Sequence, residues 1–373
     1  MKNTFGQSVC VTVFGESHGE GIGAVIDGLA PGIAVDHSFI SAQLSKRRPS
    51  GKTDTPRVEQ DNYKILSGVF NGKTTGTPIA IIIPNENIKS KDYTYGVARP
   101  SHADYSAYMK YHGYEDYRGG GHFSGRITAS VVVAGAIAIK ALEGLGIKIG
   151  THILSCGGVS DKSFSSDIIA LDKEISLLNA REGDEMPVIS DCGDRMADSI
   201  ISARERLDSI GGKIQTAITG MPAGVGEPWF DSVESVLSHA LFSIGGIKGV
   251  EFGLGFGFDS TLGSSVNDEL EYRDGTVCTK TNNNGGINGG ITNGMPIVIN
   301  CAVKPTPSIS QPQGTVNFIS KENVGLEIKG RHDPAIIRRV CVVADSVCAL
   351  AICDLLAQRY GTDVFLKGFS EEK

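Results

Sequence analysis

The 373-residue chain has an ordinary apolar content of 40% and a net charge of −7, which argues against general nucleic-acid binding because such domains are usually basic. Glycine is in excess, with 48 residues, but it lacks the three-residue period of collagen and indicates many tight turns. The eight cysteines form no C-x-x-C pair, so neither a disulfide framework nor a zinc site is predicted. The chain begins without an apolar signal segment, and we expect a cytoplasmic protein without membrane association.

The first predicted elements are a strand over Ser8–Phe14 and its hairpin partner over Ile22–Ile26. The turn between them places Ser17 and His18 among glycines. Such a turn is either purely structural or a means of presenting reactive groups at the tip of a scaffold. The residues of the turn alone leave both interpretations open.

A basic loop follows a predicted helix over Ser38–Ser45. The loop contains Arg47, Arg48 and Lys52, and Pro49 interrupts it. A run of charges is usually solvated surface, which is the default interpretation here. Arginine in an otherwise acidic chain is also suited to clamping a phosphate or a carboxylate, so an anion clamp is the alternative.

Two further strands are predicted over Ile65–Phe70 and Ile79–Ile83, the second at the centre of a sheet. A helix follows over Tyr105–His112. Ser101 or Asp104 is its predicted N-terminal cap, because short polar side chains bind the free N–H groups of a first helical turn.

The segment Tyr117–Thr128 contains three consecutive glycines and leads into an almost wholly apolar stretch over Ile127–Ile139. Glycine lets the backbone adopt positive φ and approach a ligand closely. A helix that is apolar on every face belongs in a core, and about 13 residues are too few to span a bilayer. The start of such a helix favours anions. The glycines are flanked by Arg118, His122, Ser124 and Arg126. We therefore favour an anion site over a flexible turn.

The second half of the chain alternates strands and helices. Strands are predicted over Ile149–Leu154, Lys213–Thr219 and Pro296–Val303, and helices over Leu171–Ala180, Ser199–Leu207 and from a cap at Asp231 to Phe242. A last long helix is predicted from Asp333 as cap and Pro334 as first helical residue to about Tyr360, with Gly361 ending it. No linker divides the chain, so we predict a single catalytic domain over residues 1–365 and a mobile tail over 366–373.

Together these motifs resemble the chorismate synthase family. The matching segments occur in family order and are Gly15–Gly19, Arg47–Pro49, Ile65–Phe70, Lys73–Pro78, Arg99–Asp104, Tyr117–Thr128, Gly285–Gly290, Lys304–Thr306 and Gly330–Pro334. The resemblance implies an α+β fold, a single-domain β-α-β sandwich with long buried helices between antiparallel sheets. It also implies a homotetramer.

The resemblance further implies a lyase that uses reduced FMN to convert 5-enolpyruvylshikimate 3-phosphate to chorismate by 1,4-elimination of phosphate, without net redox change. Substrate and flavin would bring several anionic groups into one pocket. Unit charges 4 Å apart repel by about 4 kcal/mol at an effective dielectric constant of about 20, which the arginines of the matched motifs would offset. We expect an external flavin reductase to supply electrons, with NADPH as an indirect donor.

The resemblance assigns roles to individual residues. His18 would protonate the departing phosphate, His102 would act on the reduced flavin, and Asp333 would help to take up the proton. The substrate would contact Ser17, Arg47, Arg48, Lys52, Arg99, Arg126 and Arg331. FMN would contact His122, Phe123, Ser124, Gly245, Gly246, Gly289, Lys304, Pro305, Thr306, Pro307, Ser308 and Arg331.

The chain departs from the family pattern at a few positions. His122 replaces an arginine, Gly245-Gly246 stands where Asn-Ala is frequent, Ser50 replaces a glycine and Pro307 replaces a serine. These departures affect side-chain contacts to flavin more than backbone contacts. None of them removes a proposed catalytic group.

Two other functions remain open from the residues alone. A metal-dependent phosphohydrolase would use His18, His102, Asp104 and His122, although no H-E-x-x-H or similar spacing supports a metal site, and we predict none. An FMN-storage or anion-binding protein would bind flavin without turnover.

Overall fold

The computed structural model describes residues 2–51, 53–55, 60–86, 94–273, 275–328 and 333–369. The helices are α1 His37–Arg47, α2 Asp104–Tyr111, α3 Thr128–Glu143, α4 Ile168–Ala180, α5 Gly193–Glu205, α6 Val233–Phe242, α7 Gly263–Val266, α8 Ile337–Tyr360 and α9 Val364–Lys367. The strands are β1 Thr4–Phe5, β2 Cys10–Gly15, β3 Gly21–Asp27, β4 Lys64–Ile65, β5 Val69–Phe70, β6 Lys73–Thr74, β7 Ile79–Pro84, β8 Lys148–Cys156, β9 Val159–Ser160, β10 Gly212–Thr219, β11 Ile247–Phe252, β12 Leu270–Arg273, β13 Thr276–Thr279, β14 Ile287–Asn288, β15 Ile291–Thr292, β16 Ile297–Val303, β17 Gln313–Asn317 and β18 Glu322–Leu326.

Two five-stranded antiparallel sheets enclose the core. One has the strand order β1-β2-β3-β7-β4 and the other β11-β16-β10-β8-β9. Helix α3 packs against β3 and β7 of the first sheet and against α8, which in turn packs on β8 and β10 of the second. The predicted β-α-β sandwich of α+β class is confirmed.

Helices α3 and α8 are buried between the sheets because apolar side chains dominate their surfaces, and α8 also buries the charged residues Arg338, Asp345 and Asp354. A Cβ atom at Gly135 would overlap Ser346 of α8, so this glycine allows the two helices to approach closely. Helical stretches Gly125–Glu143 and Ile337–Tyr360 have the length and hydropathy of membrane spans, but 72% and 94% of their most apolar windows are buried inside the protein. Burial, rather than the short length predicted for the first stretch, assigns both to the core.

Three predicted helix caps are wrong. Asp104 lies inside α2, Asp231 precedes the actual cap Ser232 of α6, and Asp333 lies before α8, whose cap position is Ile336. In two of these cases a cationic partner replaces the predicted helix N–H groups, because Asp104 pairs with Arg99 and Asp333 with Arg339.

The end of the chain is partly described. Gly361 ends α8 with φ of 76°, as predicted, and α9 follows. The ring of Phe369 lies 5.4 Å from that of Tyr360, whereas residues 370–373 lie outside the described residues. The mobility of the tail and the boundary of the single domain stay predictions.

Candidate active site

The three glycines of the predicted central segment all adopt positive φ, at 59° for Gly119, 81° for Gly120 and 51° for Gly121. A Cβ atom at Gly119 would overlap the imidazole of His18, and one at Gly120 would lie 2.9 Å from Cε1 of His102. Two histidines that lie 84 positions apart in the sequence therefore both adjoin the glycine run, His18 beside Gly119 and His102 beside Gly120.

Backbone hydrogen bonds attach the His18 turn to the glycine run. Ser17 N donates to the Gly121 carbonyl at 3.1 Å, and Ser17 Oγ lies 3.2 Å from the Gly119 carbonyl and 3.0 Å from His18 Nδ1. Both Ser17 and His18 are buried. A hydroxyl has one hydrogen, so when Ser17 gives it to the carbonyl, His18 Nδ1 is the donor to Ser17 Oγ.

His102 belongs to a cluster centred on Asp104. The Asp104 carboxylate accepts hydrogen bonds from Arg99 at 2.7 to 2.9 Å and lies 2.8 Å from His102 Nδ1. Burial alone would raise the pKa of Asp104, but the hydrogen bonds from Arg99 and His102 hold it well below its usual range. The carboxylate is therefore ionised at neutral pH.

A second cluster is centred on Asp61, whose side chain is fully buried. One carboxylate oxygen pairs with Arg126, and the other lies 3.5 Å from Arg47 and 3.6 Å from Arg48. Arg47 also donates to the Gly125 carbonyl at 2.9 Å and lies 3.3 Å from Thr128 Oγ1. Three guanidinium groups thus surround one carboxylate beside the glycine run.

Arg126 holds the same region from another side. Its Nε donates to Asn85 Oδ1 at 3.2 Å and its other nitrogen contacts the Pro84 carbonyl at 3.4 Å, while Ser124 Oγ accepts from its backbone N–H at 3.3 Å. Arg47 and Arg126 are each more than 90% buried. Both predicted substrate ligands are therefore also part of the internal packing.

Asp333 is held in place by two contacts. Its Oδ1 accepts from the backbone N–H of Thr55 at 3.1 Å, and its Oδ2 pairs with Arg339. Arg338, the residue before Arg339, is buried and pairs with Asp54. These contacts tie the segment after α1 to the start of α8.

The segments predicted to contact FMN partly converge. The Lys304 N–H donates to the Gly246 carbonyl at 2.9 Å, and Lys304 Nζ donates to the Ser101 carbonyl at 2.7 Å. This contact brings the 304–308 segment next to the Arg99–Asp104 segment. The buried Thr306 Oγ1 has no hydrogen-bond partner among the described residues.

Other predicted cofactor residues are more dispersed. His122 Nδ1 lies 2.8 Å from the Gly15 carbonyl, and the Phe123 ring is 43% exposed. Gly289 lies in the β14–β15 turn, whose next residue Gly290 accepts from Val233 at the start of α6. Gly245 and Gly246 follow the other end of that ten-residue helix, so Gly289 lies about 15 Å away from them along the helix axis.

A cavity of about 740 Å³ opens beside His102. Its polar lining includes Arg99, His102 and Asp104, next to Gly120. Its aromatic lining includes Tyr95, Tyr111, Tyr117, Phe123 and Phe318. A wall of this kind can stack against a planar ring while the polar side supplies hydrogen bonds.

Two predicted substrate residues, Lys52 and Arg331, lie outside the described residues. The sequence analysis missed Asp61, Thr55 and Arg339, which hold predicted site residues in place. A single acidic residue before a short strand carries no local signal, because its importance comes from arginines distant in sequence. Within the described part of the chain, no group of three histidine, cysteine, aspartate or glutamate side chains is arranged to hold a metal.

Comparisons with known proteins agree with one another. A family model described as chorismate synthase matches residues 9–357. The chain is 44% identical over 356 residues to a chorismate synthase of Pyrococcus abyssi, which covers 95% of this chain and 97% of that protein. It is 45% identical over 355 residues to one of Methanocella arvoryzae, covering 94% and 93%. A crystal structure of chorismate synthase superimposes with a TM-score of 0.75 at 30% identity, over 95% of this chain and 94% of the other.

Proposed function

The chain belongs to the chorismate synthase family, and we propose that His18, His102 and Asp333 carry out its chemistry on reduced FMN. The enzyme is a carbon–oxygen lyase that converts 5-enolpyruvylshikimate 3-phosphate to chorismate by 1,4-elimination of phosphate. The observation that most supports the proposed site is the glycine run, which lies next to both His18 and His102.

His18 is the proposed acid for the departing phosphate. Its Nδ1 lies 3.0 Å from Ser17 Oγ, and we assign delivery of the proton to its Nε2. Histidine suits this step because its charge changes near neutral pH. Ser17 would keep the imidazole in the orientation that the step needs.

The arginine cluster is the proposed anion-binding side. Arg47, Arg48 and Arg126 place three guanidinium groups around the Asp61 carboxylate. Guanidinium groups bind the oxygens of phosphates and carboxylates in bidentate pairs, which supports an anion site here. Lys52, Arg99 and Arg331 would complete the substrate contacts.

The residues present fit reduced FMN. Thr306 Oγ1 is a buried hydroxyl without a partner among the described residues, and no atom lies within 4 Å of a Cβ position at Gly245 or Gly289. Lys304, Pro305, Thr306, Pro307 and Ser308 would hold the cofactor together with His122, Phe123, Ser124 and Gly246. When bound, reduced flavin would supply the electron density that loss of phosphate requires, since the proton removed is not adjacent to a carbonyl.

Asp333 is the proposed acceptor of that proton. Its carboxylate is held by the Thr55 N–H and by Arg339, and these contacts fix its position just before α8. His102 would act on the flavin from the cavity side. These roles need a pocket that excludes bulk water.

The deciding experiment is an anaerobic assay of phosphate release from 5-enolpyruvylshikimate 3-phosphate with photoreduced FMN. We expect turnover with reduced flavin and none without it. Turnover that survives removal of flavin, or that depends on a divalent metal, would reject the flavin proposal in favour of a phosphohydrolase. Flavin binding without product would indicate a storage protein.

The same assay tests the residues. His18→Ala and Asp333→Ala should each lower kcat by at least about 100-fold, with a much smaller change in substrate Kd. His112→Asn replaces an exposed histidine at a left-handed position that asparagine tolerates and should retain wild-type turnover. Wild-type rates in both site variants would refute the assignments.

We also propose that the protein is a cytoplasmic homotetramer that obtains reduced flavin from an external reductase, with NADPH as the indirect donor. Adding NADPH to oxidised FMN and the purified protein should then give no turnover until a flavin reductase is added.

A further inference from the structure

Asp104 is the convergence point of the cluster beside His102. Its two oxygens accept from Arg99 N at 2.9 Å, Arg99 Nε at 2.8 Å and the terminal Arg99 nitrogen at 2.7 Å. The oxygen that takes the last of these also lies 2.8 Å from His102 Nδ1. Arg99 therefore fixes the carboxylate, and the carboxylate faces one ring nitrogen of His102.

The contact decides which nitrogen of His102 carries hydrogen. Were Nδ1 unprotonated, its lone pair would face the lone pairs of an ionised carboxylate at hydrogen-bond distance, which is repulsive. The terminal nitrogen of Arg99 lies 3.0 Å from Nδ1 and donates to the same Asp104 oxygen at 2.7 Å. These three atoms form a nearly equilateral triangle, whereas the two hydrogens of a guanidinium nitrogen diverge by about 120°, so the second hydrogen does not also point at Nδ1. The arrangement is satisfied when Nδ1–H and the guanidinium both donate to Asp104.

The edge of the His102 imidazole that is formed by Cε1 and Nε2 faces Gly120. A Cβ atom at this position would lie 2.9 Å from His102 Cε1 and 3.3 Å from Nε2. Any other residue at position 120 would crowd the Nε2 edge. Both residues line the cavity of about 740 Å³, and a side chain at position 120 would fill the space beside this edge.

We propose that Asp104 is a positioning residue that holds His102 with hydrogen on Nδ1, so that His102 acts on its ligand through Nε2. His102 and Asp104 then work as a pair, with Arg99 orienting the carboxylate. The effect of Asp104 on turnover rests on the proposed role of His102, whereas its effect on the tautomer does not.

The test is the tautomer of His102 in the ligand-free protein, read by long-range ¹H–¹⁵N NMR at about pH 8, where histidine is mostly neutral. The His102 resonances are assigned by their loss in His102→Gln. We expect Nδ1–H in the wild type and a shift towards the Nε2–H form in Asp104→Asn, whose amide no longer offers a carboxylate. A wild-type His102 with hydrogen on Nε2 overturns the proposal, even if the variant fails to fold.

The matched control is Asp116→Asn. Asp116 accepts from the backbone N, Nε and terminal nitrogen of Arg118 at 3.1, 2.8 and 2.8 Å, the same pattern as Asp104 with Arg99, and it lines the same cavity. Among the residues that the structure describes, no histidine forms a hydrogen bond with the Asp116 side chain. Asp116→Asn should leave the His102 tautomer unchanged, and a shift equal to that of Asp104→Asn would overturn the proposal.

The activity readout separates positioning from binding. Asp104→Asn should lower kcat by about 10- to 100-fold, with a smaller change in KM, and Asp104→Glu should recover part of the loss. An unchanged kcat in a variant whose tautomer has shifted would overturn the functional part of the proposal. If the wild-type enzyme itself forms no chorismate, the proposed function fails and the tautomer result stands independently.

Discussion

Two aspartate-centred clusters lie beside the same glycine run, and they are built differently. Asp61 is fully buried among Arg47, Arg48 and Arg126. Asp104 is partly exposed at a cavity and pairs with one arginine and one histidine. The first cluster gathers three guanidinium groups around its carboxylate, whereas the second joins one guanidinium and one imidazole to its carboxylate.

The difference indicates a division of labour within one site. Fixed positive charge suits holding anions, because arginine does not lose its proton at any physiological pH. A carboxylate–imidazole pair suits moving protons. The glycine run adjoins both histidines because only residues without Cβ leave room for His18 beside Gly119 and for His102 beside Gly120.

The largest expected effect comes from removing the charge at the centre of the buried cluster. Asp61→Asn should lower the free energy of unfolding by about 3–5 kcal/mol, because breaking a buried ion pair leaves uncompensated charges. Asp61 has φ of 51°, which asparagine tolerates, so backbone strain is not the cause. Equilibrium urea unfolding measures the loss.

The matched control for this variant is Asp36→Asn. Asp36 caps α1, the helix that carries Arg47, and its carboxylate accepts from the N–H groups of Ser38 and Phe39 at the exposed helix end. Asparagine is an equally good cap, so the stability should change little. Equal losses in the two variants would mean that Asp61 is no more than an ordinary surface carboxylate.

Asp345 is a buried carboxyl group whose pKa shifts in the opposite direction to that of Asp104. Burial raises the pKa of Asp345 in α8 to about 6, while a hydrogen bond from Thr151 at 2.6 Å and the charges of Lys46 and Arg181 oppose the rise. The protonated form is favoured in the folded state. Its contribution to stability is therefore complete below the unfolded pKa of 3.8 and lost as the pH rises to about 6.

Asp345→Asn should remove this dependence. Relative to wild type, the variant should become more stable between about pH 4 and pH 7, by up to about 3 kcal/mol, and the difference should then level off. Urea unfolding at several pH values measures it. A difference that is constant with pH would show that the pKa of Asp345 is not raised in the folded state.

The glycine run that separates the clusters is the next target. Gly119→Ala should cost about 2 kcal/mol in unfolding free energy, because φ of 59° disfavours a side chain and the new methyl group would overlap His18. Gly125→Ala is the control, since no atom lies within 4 Å of its Cβ position. Similar losses of stability and turnover in both would exclude a specific role for Gly119.

The smallest effect is expected at the more exposed Asp116–Arg118 pair. The Arg118 side chain is 41% exposed, and solvent screens such pairs. Asp116→Asn should change the unfolding free energy by less than about 1 kcal/mol, as measured by urea unfolding at low and moderate salt. A loss as large as that of Asp61→Asn would remove the distinction between buried and exposed clusters.

Much of the secondary structure could be predicted because it depends on local pattern. The hairpin around Ser17, the apolar helix after the glycine run and the end of α8 at Gly361 were all predicted close to their positions. The predicted caps Asp104, Asp231 and Asp333 were wrong. A helix cap contributes only about 1 kcal/mol to stability, so for Asp104 and Asp333 a nearby arginine outweighs it.

The candidate site was predictable only in part. The residues of the matched motifs were named from the sequence, and the structure brings His18, His102 and the arginines to one region. Asp61 and Arg339 were missed, because their partners are distant in sequence. The placement of Gly289 at the far end of α6 from Gly245 and Gly246 was also not visible in the sequence.

By itself, the sequence determined the elements, the apolar helices and the motifs that indicate the family, because backbone propensity, hydrophobic period and glycine conformation act over a few neighbouring residues. The tertiary structure decided which arginines share a carboxylate and which nitrogen of His102 faces Asp104. It also decided which glycine faces which histidine. Electrostatic pairing and close packing act between atoms a few ångströms apart in space. No spacing along the chain encodes that proximity.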